Sequence, residues 1–327
     1  MIYEKLVSIV IPNYNSAAFI LETLQSIQSQ TYVNWECIIV DDYSTDESCE
    51  IISKFILTDS RFRLENRPIE RTKGANACRN YGLEISKGEY INWFDSDDVM
   101  LPNFITSKVE VFNEATSFVI ATCYFTNHDF SVKKYISLDH KDNLFKEYLM
   151  WRFKIVTNSI LFKKSFLLEN SFTFNEQIFK GQEMELFSRI FFLVHRQPSI
   201  QFQVLDIATF WYRGHDKSST SKNLNYKPKF KSSETFTLIR NLELSLSLRD
   251  DELIQSRYRL LVNMLKKGVD NQDKENIERI LSFFDSIFTN KNFFKVKLLK
   301  FIVYLFIHLR LNFIPWDKIL KKIPVRY

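Results

Sequence analysis

Glycine is scarce. The 327-residue chain holds six, and their placement excludes two kinds of nucleotide site. Neither Gly-x-Gly-x-x-Gly nor a Gly-Lys-Ser/Thr loop occurs, so the chain has no dinucleotide fingerprint and no phosphate-cradling P-loop. Any nucleotide bound here must be held by side chains and a metal ion. Cysteine is equally sparse. Cys37, Cys49, Cys78 and Cys123 show no paired metal-ligand spacing and no nearby histidine, and they read as reduced, mostly buried thiols in a cytosolic setting. Long apolar runs are missing too. No basic stretch followed by an apolar one opens the chain, and Leu6–Ile11 is short and interrupted by Ser8, so a secretory signal is not expected. Phe301–Ile307 falls far short of the ~20 residues that span a bilayer.

What is present suits a stable globular protein. Hydrophobic residues make up 45% of the chain, with 31 Phe, enough to bury a full core in one large domain plus an appendage. Charge is unevenly placed. Residues 222–327 carry 21 Lys and Arg against 11 Asp and Glu, whereas residues 1–221 carry 23 against 28. A neutral or acidic body with a basic tail suggests that the tail meets a polyanionic surface.

The first 115 residues alternate strand and helix signals. Leu6–Ile11 is a continuous apolar run suited to a strand buried on both faces. Ile20, Leu21, Leu24 and Ile27 recur at helical spacing, and Trp35–Val40 reads as a second strand ended by Asp41-Asp42. Ser44 and Glu47 form a capping-box pattern ahead of Ile51, Ile52 and Phe55. Arg61–Leu64 suits a short third strand, residues 75–86 a helix stopped by Gly88, and Glu89–Phe94 a fourth strand. Repeated β-α-β units of this length predict an α/β protein with a mostly parallel, doubly wound sheet. In such sheets ligands bind beyond the carboxyl ends of the strands. The polar clusters Asn13-Tyr14-Asn15, Asp41-Asp42 and Asp95–Asp98 all fall at those ends.

Asp95-Ser-Asp97-Asp98 directly follows the fourth strand. Three carboxylates within four residues repel one another unless a cation offsets the charge, and a hard dication such as Mg²⁺ or Mn²⁺ shares oxygen ligands with phosphates. A solvated acidic turn at a helix start is the other explanation of the same residues.

Five ordered stretches then resemble glycosyltransferase family 2. They are Val7-Ser-Ile-Val-Ile-Pro-Asn-Tyr-Asn15, Ser29-Gln-Thr-Tyr32, Ile38-Ile-Val-Asp-Asp-Tyr-Ser-Thr-Asp46, Lys73-Gly-Ala-Asn-Ala-Cys-Arg-Asn80 and Gly88-Glu-Tyr-Ile-Asn-Trp-Phe-Asp-Ser-Asp-Asp98. The resemblance is strong over residues 6–115 and weak over 155–220. It implies a GT-A catalytic domain at residues 1–221 and inverting transfer of a sugar from a nucleotide-diphosphate donor to an acceptor hydroxyl. It places Pro12, Tyr14 and Asp42 at the nucleotide, Asp42 accepting from the base, commonly the N3–H of uracil, which points to a UDP-sugar. Lys73 and Arg79 would stand near the diphosphate, Asp97 and Asp98 would contact nucleotide and metal, with Asp98 the direct ligand, and Asp95 would orient them. The family's Glu-Asp pair corresponds to Gln182-Glu183, which makes Glu183 the base. Trp211-Tyr-Arg-Gly-His-Asp-Lys-Ser-Ser-Thr220 resembles a loop in which Arg213 clamps phosphate and His215 adds a metal ligand. Without the resemblance, Asp42 reads as a turn residue, Glu183 as a helix-start charge and His215 as an exposed loop histidine.

Residues 226–285 read as helices of mixed charge. Leu298–Ile314 is apolar except for Lys300, His308, Arg310 and Asn312, with lysines on both sides, and suits an interfacial helix on an anionic membrane or a helix packed on protein. Family analogy extends this to a glycan or polyprenyl-diphosphate-linked acceptor and to a cytoplasmic protein peripheral on the inner face of the plasma membrane. Nucleic acid is not an expected partner, because the tail is rich in aliphatic and aromatic residues. Two rival functions remain: a nucleotidyltransferase, disfavoured by the lack of a glycine-rich loop at Pro12-Asn-Tyr-Asn15, and a non-catalytic binder on a degenerate transferase fold, kept open by Gln182-Glu183.

Overall fold

The computed structural model describes residues 5–138, 143–214, 226–288, 297–298, 300–301, 304 and 316–322. The chain divides into two compact units, Met1–Gln177 with Arg189–Lys222, and Ile178–Ser188 with Asn223–Tyr327.

In the first unit every residue of β1 (Val7–Asn13) is buried. Helices cover both faces of such a strand, which is why its sequence shows no alternation. α1 (Ile20–Gln28) buries Ile20, Leu24 and Ile27 along one stripe, as helical spacing predicts. β2 (Trp35–Asp41), α2 (Ser48–Ile56), β3 (Phe62–Asn66), α3 (Ala75–Ile85) and β4 (Tyr90–Trp93) complete the alternating half. Then follow β5 (Val99–Met100), α4 (Phe104–Val109), β6 (Thr116–Thr126), β7 (Lys133–Tyr135), α5 (Leu144–Leu149), β8 (Ile160–Lys163), α6 (Lys164–Glu169), α7 (Gln182–Arg196) and β9 (Gln201–Arg213); residues 182–188 of α7 belong to the second unit.

The sheet runs β3-β2-β1-β4-β8-β6-β9-β5, with β7 alongside β6. β3, β2, β1 and β4 pair in parallel, as the β-α-β pattern requires. Beyond β4 the sheet is mixed: β8 is antiparallel to both β4 and β6, whereas β9 is parallel to β6. The chain leaves β1 toward β2 and β3, then returns to β1's other side as β4. That reversal opens a crevice at the carboxyl ends of the strands, the usual ligand position in such sheets.

Two local expectations are corrected. Gly88 does not cap α3, which ends at Ile85 and passes into an extended Ser86. A Cβ on Gly88 would lie 2.6 Å from both the backbone nitrogen and Oγ of Ser8, so glycine lets the chain pass close to β1. Ser44 and Glu47 form no capping box either: the backbone N–H of Ser44 donates to Asp41 at 2.8 Å and its hydroxyl to Asp41 at 2.5 Å, and α2 begins only at Ser48.

The second unit contains α8 (Pro228–Leu248), α9 (Asp251–Asp270), α10 (Lys274–Ile287) and the short α11 (Trp316–Leu320). Asp250 and Asp273 accept bonds from the backbone of Leu253 and Asn276 and so start α9 and α10. Leu242, Ile254, Tyr258, Leu261, Leu265, Ile280 and Phe284 fill its core. Of the expected interfacial helix 298–314 only 298, 300, 301 and 304 are among the described residues; Leu298, Phe301 and Tyr304 are exposed. Among the described residues no helix is long and apolar enough to cross a membrane.

Candidate nucleotide and metal site

β1 and β2 end in register, Asn13 opposite Asp41, which sets Tyr14 and Asp42 side by side in sequence position just beyond the paired strands. Asp41 is consumed locally. It accepts from Asn13 Nδ2 at 2.7 Å and from Ser44, tying the first two strand ends together. Asp42 is 4% exposed and meets a cation instead: Arg67 Nε donates to its Oδ1 at 2.6 Å. Arg67, itself 4% exposed, is held by bonds from its guanidinium to the carbonyls of Pro68 (2.8 Å) and Arg71 (2.5 Å), and its backbone N–H donates to Asp41. Asp42 Oδ2 carries no hydrogen bond among the described residues. Pro12 is buried inside β1 opposite Val40. Tyr14 is 48% exposed, with Lys73 Nζ 4.3 Å from its ring centroid, so the loop after β1 and the loop before α3 meet through a cation–π contact.

The acidic cluster sits at the end of β4. Oxygens of Asp95, Asp97 and Asp98 all lie within 4.8 Å of one another. Asp98 is the most buried, and both its oxygens are engaged: Oδ2 accepts from Asn158 Nδ2 at 2.6 Å and Oδ1 from the backbone N–H of Arg213 at 2.7 Å. Asp95 Oδ1 accepts from Arg79 at 2.7 Å, the backbone N–H of Asp95 donates to Asn158 Oδ1, and its Oδ2 takes no hydrogen bond among the described residues. Burial, and then the charges of Asp97 and Asp95, push the Asp98 carboxyl well above the usual range. Burial also raises Asp95, with Arg79 opposing and Asp97 adding to the shift. Two carboxyls that resist ionising beside a third acidic side chain form the donor set a hard dication fits, since its charge offsets both desolvation and repulsion.

Several expected site residues are engaged by the protein itself. Asp98, expected as the direct ligand, is the carboxylate with both oxygens already holding N–H donors, whereas Asp95 and Asp97 are more accessible. Arg79, expected near phosphate, is 4% exposed and spends its charge on Asp95 beside the ring of Phe174. Arg213, expected as a phosphate clamp, pairs with Glu22 and lies between the rings of Phe19 and Phe130. Both arginines therefore brace the acidic cluster, one through its side chain and the other through its backbone. Glu183 is half-buried in the first turn of α7, two residues before the buried Glu185. His215 lies outside the described residues.

Sequence reasoning missed Arg67 and Asn158. Arg67 follows β3 directly, on the sheet edge where Asp42 follows β2, and that shared edge was the available signal. Asn158 is 60 residues from Asp98 and carries no local mark.

Residues 8–190 match the family model described as Glycosyl transferase family 2, which is more than half of the chain. The chain belongs to this family. Among family relatives, 129 residues are 39% identical to the Escherichia coli UDP-Glc:alpha-D-GlcNAc-diphosphoundecaprenol beta-1,3-glucosyltransferase WfaP, covering 39% of this chain and 49% of WfaP. The matched stretch spans about half or less of the curated relatives, 41% of the Streptococcus pneumoniae glycosyltransferase GlyG among them. Its fold is the GT-A fold of its solved structural neighbours. TarS 1–349 from S. aureus, solved with UDP-GlcNAc, superposes with a TM-score of 0.55 at 16% identity over 85% of this chain and 83% of TarS. The mannosyltransferase PcManGT from Pyrobaculum calidifontis, solved with GDP-Man and Mn²⁺, superposes at 0.51 and 15% identity over 96% of this chain and 83% of PcManGT.

Proposed function

We propose that this protein transfers a sugar from a nucleoside-diphosphate donor to a hydroxyl of a saccharide acceptor, with inversion at the anomeric carbon and a bound divalent cation. The carrying observation is the cluster of Asp95, Asp97 and Asp98 oxygens within 4.8 Å at the end of β4, beside the sheet reversal. Asp95, Asp97 and Asp98 offer their clustered oxygens to Mg²⁺ or Mn²⁺, with the bonds from Asn158 and Arg213 holding Asp98 in place. A dication held there supplies positive charge to a departing diphosphate, which helps most as that charge develops. Asp42 and Tyr14 take the base, and Lys73 adds charge beside them.

Glu183 is assigned the base by its place in the family motif: it removes the proton from the acceptor hydroxyl as that oxygen attacks the anomeric carbon and the bond to diphosphate breaks. WfaP is named for UDP-Glc and an undecaprenol-diphosphate-linked acceptor, and TarS was solved with UDP-GlcNAc. These names support a UDP-sugar donor and a lipid-linked saccharide acceptor for this chain. The 21 cations of residues 222–327 support work at an anionic inner membrane face, with residues 1–221 as the catalytic part.

The test is release of free nucleoside diphosphate from a panel of UDP-, TDP- and GDP-sugars, with Mn²⁺ and with chelator, in the presence of mixed saccharide and lipid-linked acceptors. Metal-dependent turnover of one donor class is expected, with Glu183→Gln slowed on the order of 100-fold or more. Full turnover in chelator sinks the metal role. Unchanged turnover of Glu183→Gln removes it as base.

A further inference from the structure

Resting on the nucleotide-sugar assignment above, we infer that Arg67 is a positioning residue that sets nucleobase selectivity through Asp42. Asp42 is nearly sealed, yet among the described residues only one of its oxygens is used. Arg67 Nε takes Oδ1 at 2.6 Å, and three further contacts hold Arg67 so that it cannot follow a ligand: its bonds to the carbonyls of Pro68 and Arg71, and the Tyr43 hydroxyl on its own carbonyl at 3.0 Å. The Tyr43 ring also lies 5.2 Å from the guanidinium carbon. The side chain at position 42 is therefore locked in rotation about its last bond, with Oδ1 toward Arg67 and Oδ2 left to accept from outside. Asp42 immediately follows the residue registered with Asn13, and Tyr14 immediately follows Asn13 on the neighbouring strand, so this oxygen belongs to the same strand-end crevice as an exposed aromatic ring.

One fixed acceptor oxygen discriminates among bases by simple donor arithmetic. Uracil and thymine present a single ring N–H, at N3, flanked by carbonyls, and one oxygen satisfies it. Guanine presents two parallel donors, N1–H and the 2-amino group, which match a carboxylate only when both oxygens are free. With Oδ1 committed to Arg67, one guanine donor is left buried and unpaired, which is costly. Cytosine puts an N3 lone pair where uracil has its proton, and a carboxylate oxygen repels it. The lock thus favours uridine or thymidine diphosphates over guanosine and cytidine diphosphates.

The lock makes a sharper prediction for Asp42→Asn. Arg67 can only donate, so the amide must turn its oxygen to Arg67 and its NH₂ outward. Position 42 then becomes a donor, and the preference should invert from UDP to CDP. In the double variant Asp42→Asn with Arg67→Met the amide is free to turn over, and the inversion should vanish.

The experiment is calorimetric titration of the full chain, in Mn²⁺, with UDP, N3-methyl-UDP, CDP and GDP. The wild type should bind UDP on the order of 10- to 100-fold more tightly than the other three, the range expected for one hydrogen bond to a charged group. Asp42→Asn should bind CDP more tightly than UDP, and Arg67→Lys should keep part of the wild-type selectivity because lysine still donates. Circular dichroism of each variant separates misfolding from altered recognition, and Asp42→Asn, nearly isosteric, tests the lock even where Arg67→Met does not fold. If the wild type binds UDP and N3-methyl-UDP equally, or Asp42→Asn keeps UDP ahead of CDP, the lock is refuted while nucleotide binding stands. Absence of binding by all four nucleotides refutes the nucleotide assignment itself.

Discussion

Lys108 gives a measurable cost inside the first unit. It lies in α4, is fully buried, and its Nζ has no hydrogen-bond partner among the described residues; it sits 3.2 Å from the centroid of the Phe104 ring. Burial holds its amine well below the ordinary lysine value of 10.5, with a weaker opposing influence from Cys123. The unfolded chain therefore binds a proton that the folded chain does not, over the whole interval between the depressed folded value and 10.5. Stability must rise with pH across that interval, because deprotonating the unfolded lysine removes its advantage. Lys108→Met keeps the length and apolar stem while deleting the amine. An unsatisfied buried polar group costs roughly 1–3 kcal/mol. For a unit of this size that corresponds to a rise of roughly 2–10 °C in Tm. Thermal unfolding followed by fluorescence between pH 6 and pH 9 should show the variant above the wild type, with the gap narrowing as pH rises. A lower Tm for Lys108→Met, or a gap independent of pH, would refute this reasoning.

Three further outcomes follow from the same structure. Asn158→Ala removes the donor to Asp98 and the acceptor for the Asp95 backbone, and should weaken Mn²⁺ binding on the order of 10- to 100-fold in a metal titration, since bonds to charged groups are the strong ones. Gly88→Ala places a methyl group 2.6 Å from the Ser8 backbone and should destabilise the first unit by about 1–3 kcal/mol in denaturant unfolding. Mn²⁺ affinity should fall as pH is lowered. The carboxyls of Asp95 and Asp98 are raised in the metal-free protein, so protons compete with the cation for the same oxygens, and calorimetry at several pH values checks the slope.

The parts of the fold that local pattern controls were legible in the sequence. The unbroken apolar run at Val7–Ile11 predicts a strand covered on both faces, and all of β1 is buried. The acidic residues fall at strand ends in the sequence and at the sheet reversal in space, because parallel β-α-β units always bring the carboxyl ends of their strands to one edge. Partner choice was not legible. Arg79 and Arg213 look alike in sequence as spare cations near a phosphate site, yet each is neutralised by a carboxylate that only the folded chain supplies, Asp95 and Glu22. Asn158 orders the metal cluster across 60 residues of chain, and Gly88 serves a close approach between strands that sequence pattern reads as a helix stop. Lys108 was equally hidden, since its position in a short helix of mixed character gives no sign that the amine is sealed.

Loss of the free Mn²⁺ signal in electron paramagnetic resonance, on adding protein and UDP, most directly tests whether the strand-end carboxylates jointly hold a dication and a nucleoside diphosphate. One Mn²⁺ should disappear from solution per chain, more tightly with UDP than without, and Asp97→Asn should release it. A free-ion signal that the protein leaves unchanged in the presence of UDP, or binding that Asp97→Asn does not weaken, would contradict the account.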